Sequence, residues 1–80
     1  MNEIEIVERL EDIFEDIFDE RIVIARNITA DDIEDWDSLN HINIIVAIEK
    51  EFGIKFTLNE LQSQKTVGDT IDLIIKKSNE

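Results

Sequence analysis

The chain has 80 residues, 42% of them hydrophobic, and its 20 acidic and 8 basic side chains give a formal net charge of −12. It has no cysteine, no proline and only two glycines, which excludes disulfides and thiolate metal sites and argues against a sheet built on tight turns. So negative a surface repels nucleic acid and anionic membranes and attracts basic partner proteins.

Residues 3–18 read as an amphipathic helix. Ile4, Val7, Leu10, Phe14, Ile17 and Phe18 recur at three- and four-residue steps, which predicts a buried face. Glu8, Glu11, Asp12, Glu15 and Asp16 fall between them and are expected in water. Residues 19–37 have no clean period and read as a long loop, anchored by Ile22, Ile24, Ile28, Ile33 and Trp36. Loops of this length are often functional. This one ends in DDIEDWD, five acids in seven positions.

Residues 38–52 form a second predicted helix, SLNHINIIVAIEKEF, with Ser38 as N-cap and Asp37 adding charge at the positive end of the helix dipole. Its apolar residues cover more than half the circumference, which predicts a central, largely surrounded element. Gly53 is placed to stop it. Residues 54–57 are a short extended link and residues 58–63 a short third helix. Residues 66–77 are the last helix, with Thr66 and Asp69 at capping spacing and Val67, Ile71, Ile74 and Ile75 as the buried stripe. The expected fold is all-α: one domain over residues 1–80, a small irregular four-helix bundle of three main helices and one short one, with a long first loop. No apolar run approaches the ~20 residues of a bilayer span. The acidic start MNEIEIVERLED is unlike a secretory signal. A cytoplasmic chain is expected.

Chemistry concentrates at Asp37-Ser38-Leu39. A serine at a helix N-terminus presents its hydroxyl where a phosphate ester would meet free backbone N–H groups. Asp37 beside it could help hold a divalent cation during transfer of a phosphate-linked group by a separate enzyme. The plain alternative is an ordinary N-cap that carries nothing.

The stretch DWDSLNHINIIVAIEKEFGIKF, residues 35–56, closely resembles the attachment region of acyl carrier proteins. Asp37-Ser38-Leu39 is followed by an apolar helix, by Glu49 to Phe52, and by the link Ile54 to Thr57. TVGDTIDLI, residues 66–74, resembles the family's last helix. The resemblance implies that Ser38 receives a 4'-phosphopantetheine arm from coenzyme A, delivered by a phosphopantetheinyl transferase using magnesium. Asp37 is then a magnesium contact during transfer. The arm's thiol holds acyl groups as thioesters, so a chain without cysteine takes part in thiol chemistry while catalysing nothing itself. The resemblance further implies acyl-handling synthases or transferases with basic docking patches as partners, and a monomer that visits each in turn. Asp35, Trp36, Leu39, His41, Ile42, Val46 and Phe56 are the candidate partner or acyl contacts, with Leu39, Ile42, Val46 and Phe56 placed near the arm or an acyl pocket inside the bundle. Core packing is the alternative role for all four, and for Ile42 and Val46 above all.

The chain also departs from the family pattern. Trp36 stands where a small residue is usual. Asn40 and Asn43 stand where fatty-acid carriers generally have acids, and Lys50 interrupts an acidic run. These departures point to a dedicated carrier for a specialised lipid, polyketide or surface-sugar pathway. Three other readings compete. Ser38 and His41 share a helix face as in a hydrolase, without a glycine-rich elbow or a second histidine. An EF-hand loop counted from Asp35 puts Asn40 at the glycine position and Val46 at the glutamate position, so that pattern fails. A carrier-like fold could also serve only as a protein-binding module, with Ser38 no more than a cap.

Overall fold

The computed structural model describes residues 2–78. Met1, Asn79 and Glu80, the ends of the expected unit, lie outside the described residues. Helix α1 spans Glu3–Phe18, α2 Ser38–Phe52, α3 Leu58–Ser63 and α4 Val67–Ser78, with one 3₁₀ turn at Ala30–Asp32 in the long first loop. No described residue is in a strand. The all-α bundle is as the periodicity predicts.

Local signals set the helix ends. Asn2 caps α1 by accepting the Glu5 N–H at 2.9 Å. Asp19 closes α1 in the left-handed region at φ 56° and donates its N–H to Glu15. Gly53, at φ 66°, closes α2. The next N–H, of Ile54, reaches back to the Glu49 carbonyl at 3.1 Å, which completes a Schellman stop. Thr57 and Glu60 cap α3 reciprocally. At α4, Asp69 accepts the N–H groups of Lys65 and Thr66, and Thr66 Oγ1 accepts that of Asp69. Those two backbone bonds hold the Asp69 carboxyl below the usual carboxylate range.

The core is one cluster drawn from α1, α2, Ile54 and α4. Helix α1 packs against both α2 and α4 and contributes Ile6, Leu10, Ile13, Phe14 and Phe18. This corrects two expectations. The buried face of α1 is centred on Ile6, which is 0% exposed, whereas Ile4 is 72% exposed. At 100° per residue the two lie about 200° apart on the helix, so only one can face the core. The helix at the centre of the packing is α1, which meets both α2 and α4, and not α2. Helix α2 buries Ile44, Ile45 and Ile48 and leaves Leu39, Ile42 and Val46 more than half exposed.

Ile22, Ile24, Ile28, Ile33 and Trp36 pack against the core, half-buried, and so tie down the first loop. The Ile24 N–H donates to Glu11 on α1. At the mouth of α4 the unpaired N–H groups of Val67 and Gly68 donate to the Ile28 and Arg26 carbonyls at 2.9 and 2.8 Å. A helix start and an irregular loop thereby satisfy each other's backbone groups. Gly68 permits this approach, because a Cβ there would sit 2.9 Å from the Arg26 carbonyl oxygen. The Arg26 guanidinium spans Asp72 on α4, at 2.8 Å to both oxygens, and Glu3 on α1 at 2.9 Å.

Candidate functional site

Helix α2 begins where the loop runs out of anchors. Asp37 is extended, and its carboxylate accepts the Asn40 N–H at 2.8 Å. Asp37, not Ser38, is therefore the N-cap, and Ser38 is the first helical residue. A serine that capped the helix would have its oxygen engaged. With Asp37 in that role, Ser38 Oγ has no hydrogen bond to any described residue, and Ser38 is exposed. The backbone N–H groups of Ser38 and Leu39 likewise have no acceptor among the described residues. An exposed nucleophilic oxygen thus stands beside two free donors at the positive end of a 15-residue helix. That is the environment a phosphate ester requires, so the residues present fit a phosphopantetheine attachment.

The loop end is tied to α2 by a second bond. Asn40 Nδ2 donates to the Asp35 carbonyl at 2.8 Å. Asp35 is exposed and does not line the groove beside Ser38. Trp36 points the other way. Its indole packs edge-on against Phe14, centroids 5.3 Å apart, and tilted against Phe18 at 6.1 Å. It lies nearly parallel to the His41 ring and donates Nε1–H to His41 Nδ1 at 3.2 Å. His41 Nδ1 is the acceptor of this bond.

An open groove of about 640 Å³ lies beside Ser38, lined by Ala30, Trp36, Asp37, Ser38, His41 and Ile42. Of the sequence-derived candidates, the structure brings together Trp36, Asp37, Ser38, His41 and Ile42. Leu39 and Val46 do not line the groove; with Ile42 they form an exposed apolar strip along α2, at 67%, 56% and 59% exposure. The core-packing alternative for Ile42 and Val46 is accordingly not realised. Phe56 is at the far end of α2, half-buried, where its N–H donates to Glu49 Oε2 at 2.9 Å. These residues are not gathered into one acyl pocket inside the bundle. Ala30 lines the groove and went unforeseen, because nothing in a lone alanine of an aperiodic loop marks it.

Residues 8–74 match the family model described as the phosphopantetheine attachment site. An acyl carrier protein of Thermosynechococcus vestitus is 35% identical over 79 residues, covering 96% of each chain. One from Lactobacillus acidophilus is 32% identical over 75 residues, covering 92% of this chain and 94% of its own. The solution NMR structure of a holo acyl carrier protein from Geobacter metallireducens superposes with a TM-score of 0.83 at 49% identity, covering 89% of this chain and 83% of that one.

Proposed function

The chain belongs to the acyl carrier protein family, a carrier with a covalent phosphopantetheine and not an enzyme, and on that footing we propose that Ser38 is the residue that bears the prosthetic group. When bound, that group supplies a terminal thiol on which acyl intermediates are held as thioesters. The single observation that carries the assignment is the Asp37 cap, which leaves the Ser38 hydroxyl exposed and unengaged.

In the transfer, Ser38 Oγ forms a new bond to the pantetheine-side phosphorus of coenzyme A. The P–O–P bond of the diphosphate would break, adenosine 3',5'-bisphosphate would leave, and the serine proton would be taken up by the transferase. Asp37, the residue before Ser38, would supply a carboxylate able to help hold a magnesium ion during the transfer. The Ser38 and Leu39 N–H groups, without an acceptor among the described residues, would be available to the resulting phosphodiester. The hydrolase alternative gives way, since the family carries rather than catalyses.

Partners are a phosphopantetheinyl transferase and acyl-handling enzymes. For their docking surface we favour the strip of Leu39, Ile42 and Val46, with Asp35 and Asp37 at its Ser38 end. An exposed apolar strip flanked by acids suits an enzyme surface with an apolar patch and basic rim. No helix among the described residues is long and apolar enough to cross a membrane. The proposal places a monomer in the cytoplasm, serving fatty-acid, polyketide or specialised lipid synthesis. The neutral Asn40 and Asn43 favour the dedicated pathways.

Intact-mass measurement after incubation with coenzyme A, magnesium and a broad-specificity transferase tests the assignment. A gain matching phosphopantetheine, lost in Ser38→Ala, is expected. A gain that survives Ser38→Ala would move the attachment elsewhere.

A further inference from the structure

Ser38 is itself part of the lining of the open groove, so a group esterified to its hydroxyl starts at the groove's edge. The groove lies on the first-loop side of that residue. Ala30, in the 3₁₀ turn of the loop, lines it, whereas Leu39 and Val46 on the exposed strip of α2 do not.

Two rings give this groove a fixed surface. The Trp36 indole is held by Phe14 and Phe18 and by its bond to His41 Nδ1 at 3.2 Å. The Trp36 and His41 rings are stacked, with centroids 6.0 Å apart and planes 27° from parallel. A surface already held in place gives up little freedom when a ligand meets it. The indole occupies only one nitrogen of His41. The other, Nε2, has no hydrogen-bond partner among the described residues and is not enclosed, so a ligand can reach it. The exposed Ala30 and Ile42 add aliphatic surface to the same groove.

A phosphopantetheine arm has matching chemistry. Close to its phosphate is a quaternary carbon bearing two methyl groups, followed by two amides. The methyls suit an apolar wall. Each amide offers both an N–H and a C=O, so it can pair with a ring nitrogen in either tautomer of the histidine. A tethered arm meets the groove at an effective concentration of roughly millimolar, so a weak contact is enough to populate it.

We propose that Trp36, His41, Ala30 and Ile42 form the resting site of the unloaded arm. Its dimethyl carbon lies against the indole and Ala30, and one of its amides pairs with His41 Nε2. The inference rests on Ser38 as the attachment point.

The test is NMR on the apo and holo forms. The holo form is made with coenzyme A and a transferase, and checked by intact mass. In isotope-filtered spectra of labelled protein carrying an unlabelled arm, NOEs are expected from the arm's methyl protons to the Trp36 indole and the Ala30 methyl. The Leu39 and Val46 methyls are expected to show none. Loading is also expected to shift the Trp36 indole N–H and the His41 ring protons. Ala30→Gln extends a longer side chain from an exposed position over the groove, and the arm's NOEs to Trp36 are expected to be lost. The wild-type spectra decide by themselves if that variant does not fold. Three results overturn the inference: arm NOEs to Leu39 or Val46 in place of Trp36, an arm with no NOEs to the groove, or Trp36 NOEs undiminished in Ala30→Gln. Absence of any mass gain brings down the attachment assignment and the inference together. Loading at Ser38 with the arm outside the groove brings down the inference alone.

Discussion

Asp37 Oδ1 accepts the backbone N–H of Asn40 at 2.8 Å. The cap is made by the residue before the serine, and this separates stability from function at two adjacent positions. Ser38→Ala removes an exposed hydroxyl with no partner among the described residues. It is expected to change unfolding free energy by less than about 0.5 kcal/mol while abolishing the mass gain. Asp37→Ala removes the cap and is expected to cost about 1 kcal/mol, a fall in Tm of roughly 4–8 °C for a domain of this size. Thermal melts of both variants check this. A larger loss in Ser38→Ala than in Asp37→Ala would contradict the capping assignment.

Asn40 is one of the departures from the acidic pattern of fatty-acid carriers, and the structure supplies its reason. Its amide nitrogen donates to the Asp35 carbonyl, tying the loop to α2. A carboxylate cannot donate and would stand near Asp35 and Asp37. Asn40→Asp is therefore expected to destabilise by about 0.5–1.5 kcal/mol from the lost hydrogen bond. Part of any added charge repulsion should fade as salt is raised. Denaturant midpoints at low and high salt read both parts. An Asn40→Asp protein as stable as wild type at low salt would mean that the Asp35 bond contributes nothing.

The register of α1 makes a direct comparison possible. Ile6 is fully buried and Ile4 is 72% exposed. Ile6→Ala is expected to cost about 2–5 kcal/mol, a loss large enough to unfold much of a small domain at ambient temperature. Ile4→Ala is expected to stay within about 0.5 kcal/mol. Equal losses on chemical denaturation would show that the helix is rotated from the face described.

Asp69 couples stability to acid. Backbone donation from Lys65 and Thr66 holds its carboxyl below the usual range, and Glu60 is held low by Lys77 and by the Thr57 N–H. A carboxyl with a depressed folded pKa binds its proton less tightly folded than unfolded, so acid favours the unfolded chain. The stabilisation is complete above the unfolded value, about pH 4, and is lost as pH falls through the lower folded value. Asp69→Asn is expected to be less stable at pH 7 and to show a shallower stability loss below about pH 4. Unchanged slopes in that window would remove Asp69 from the acid response.

Much of this was legible in the chain alone. Hydrophobic period located the three long helices. Gly53 and the Thr66–Asp69 pair marked helix ends, and Asp37-Ser38-Leu39 marked the site. These are local signals, set by residues a few positions apart whose backbone groups satisfy one another. What tertiary structure decided was every choice that depends on a distant neighbour. Two overlapping apolar faces on α1 were open until α2 and α4 covered Ile6 and left Ile4 in water. The apolar excess of α2 could mean burial all round or an exposed strip; only its packing partners settle that, because a helix does not carry information about which of its sides will be covered. Trp36, His41 and Gln64 belong to a loop, a helix and a helix end, and no spacing rule relates them. They line one small recess at the mouth of α4 because the first loop folds back over the bundle, held by the Arg26 and Ile28 carbonyls on the first N–H groups of α4.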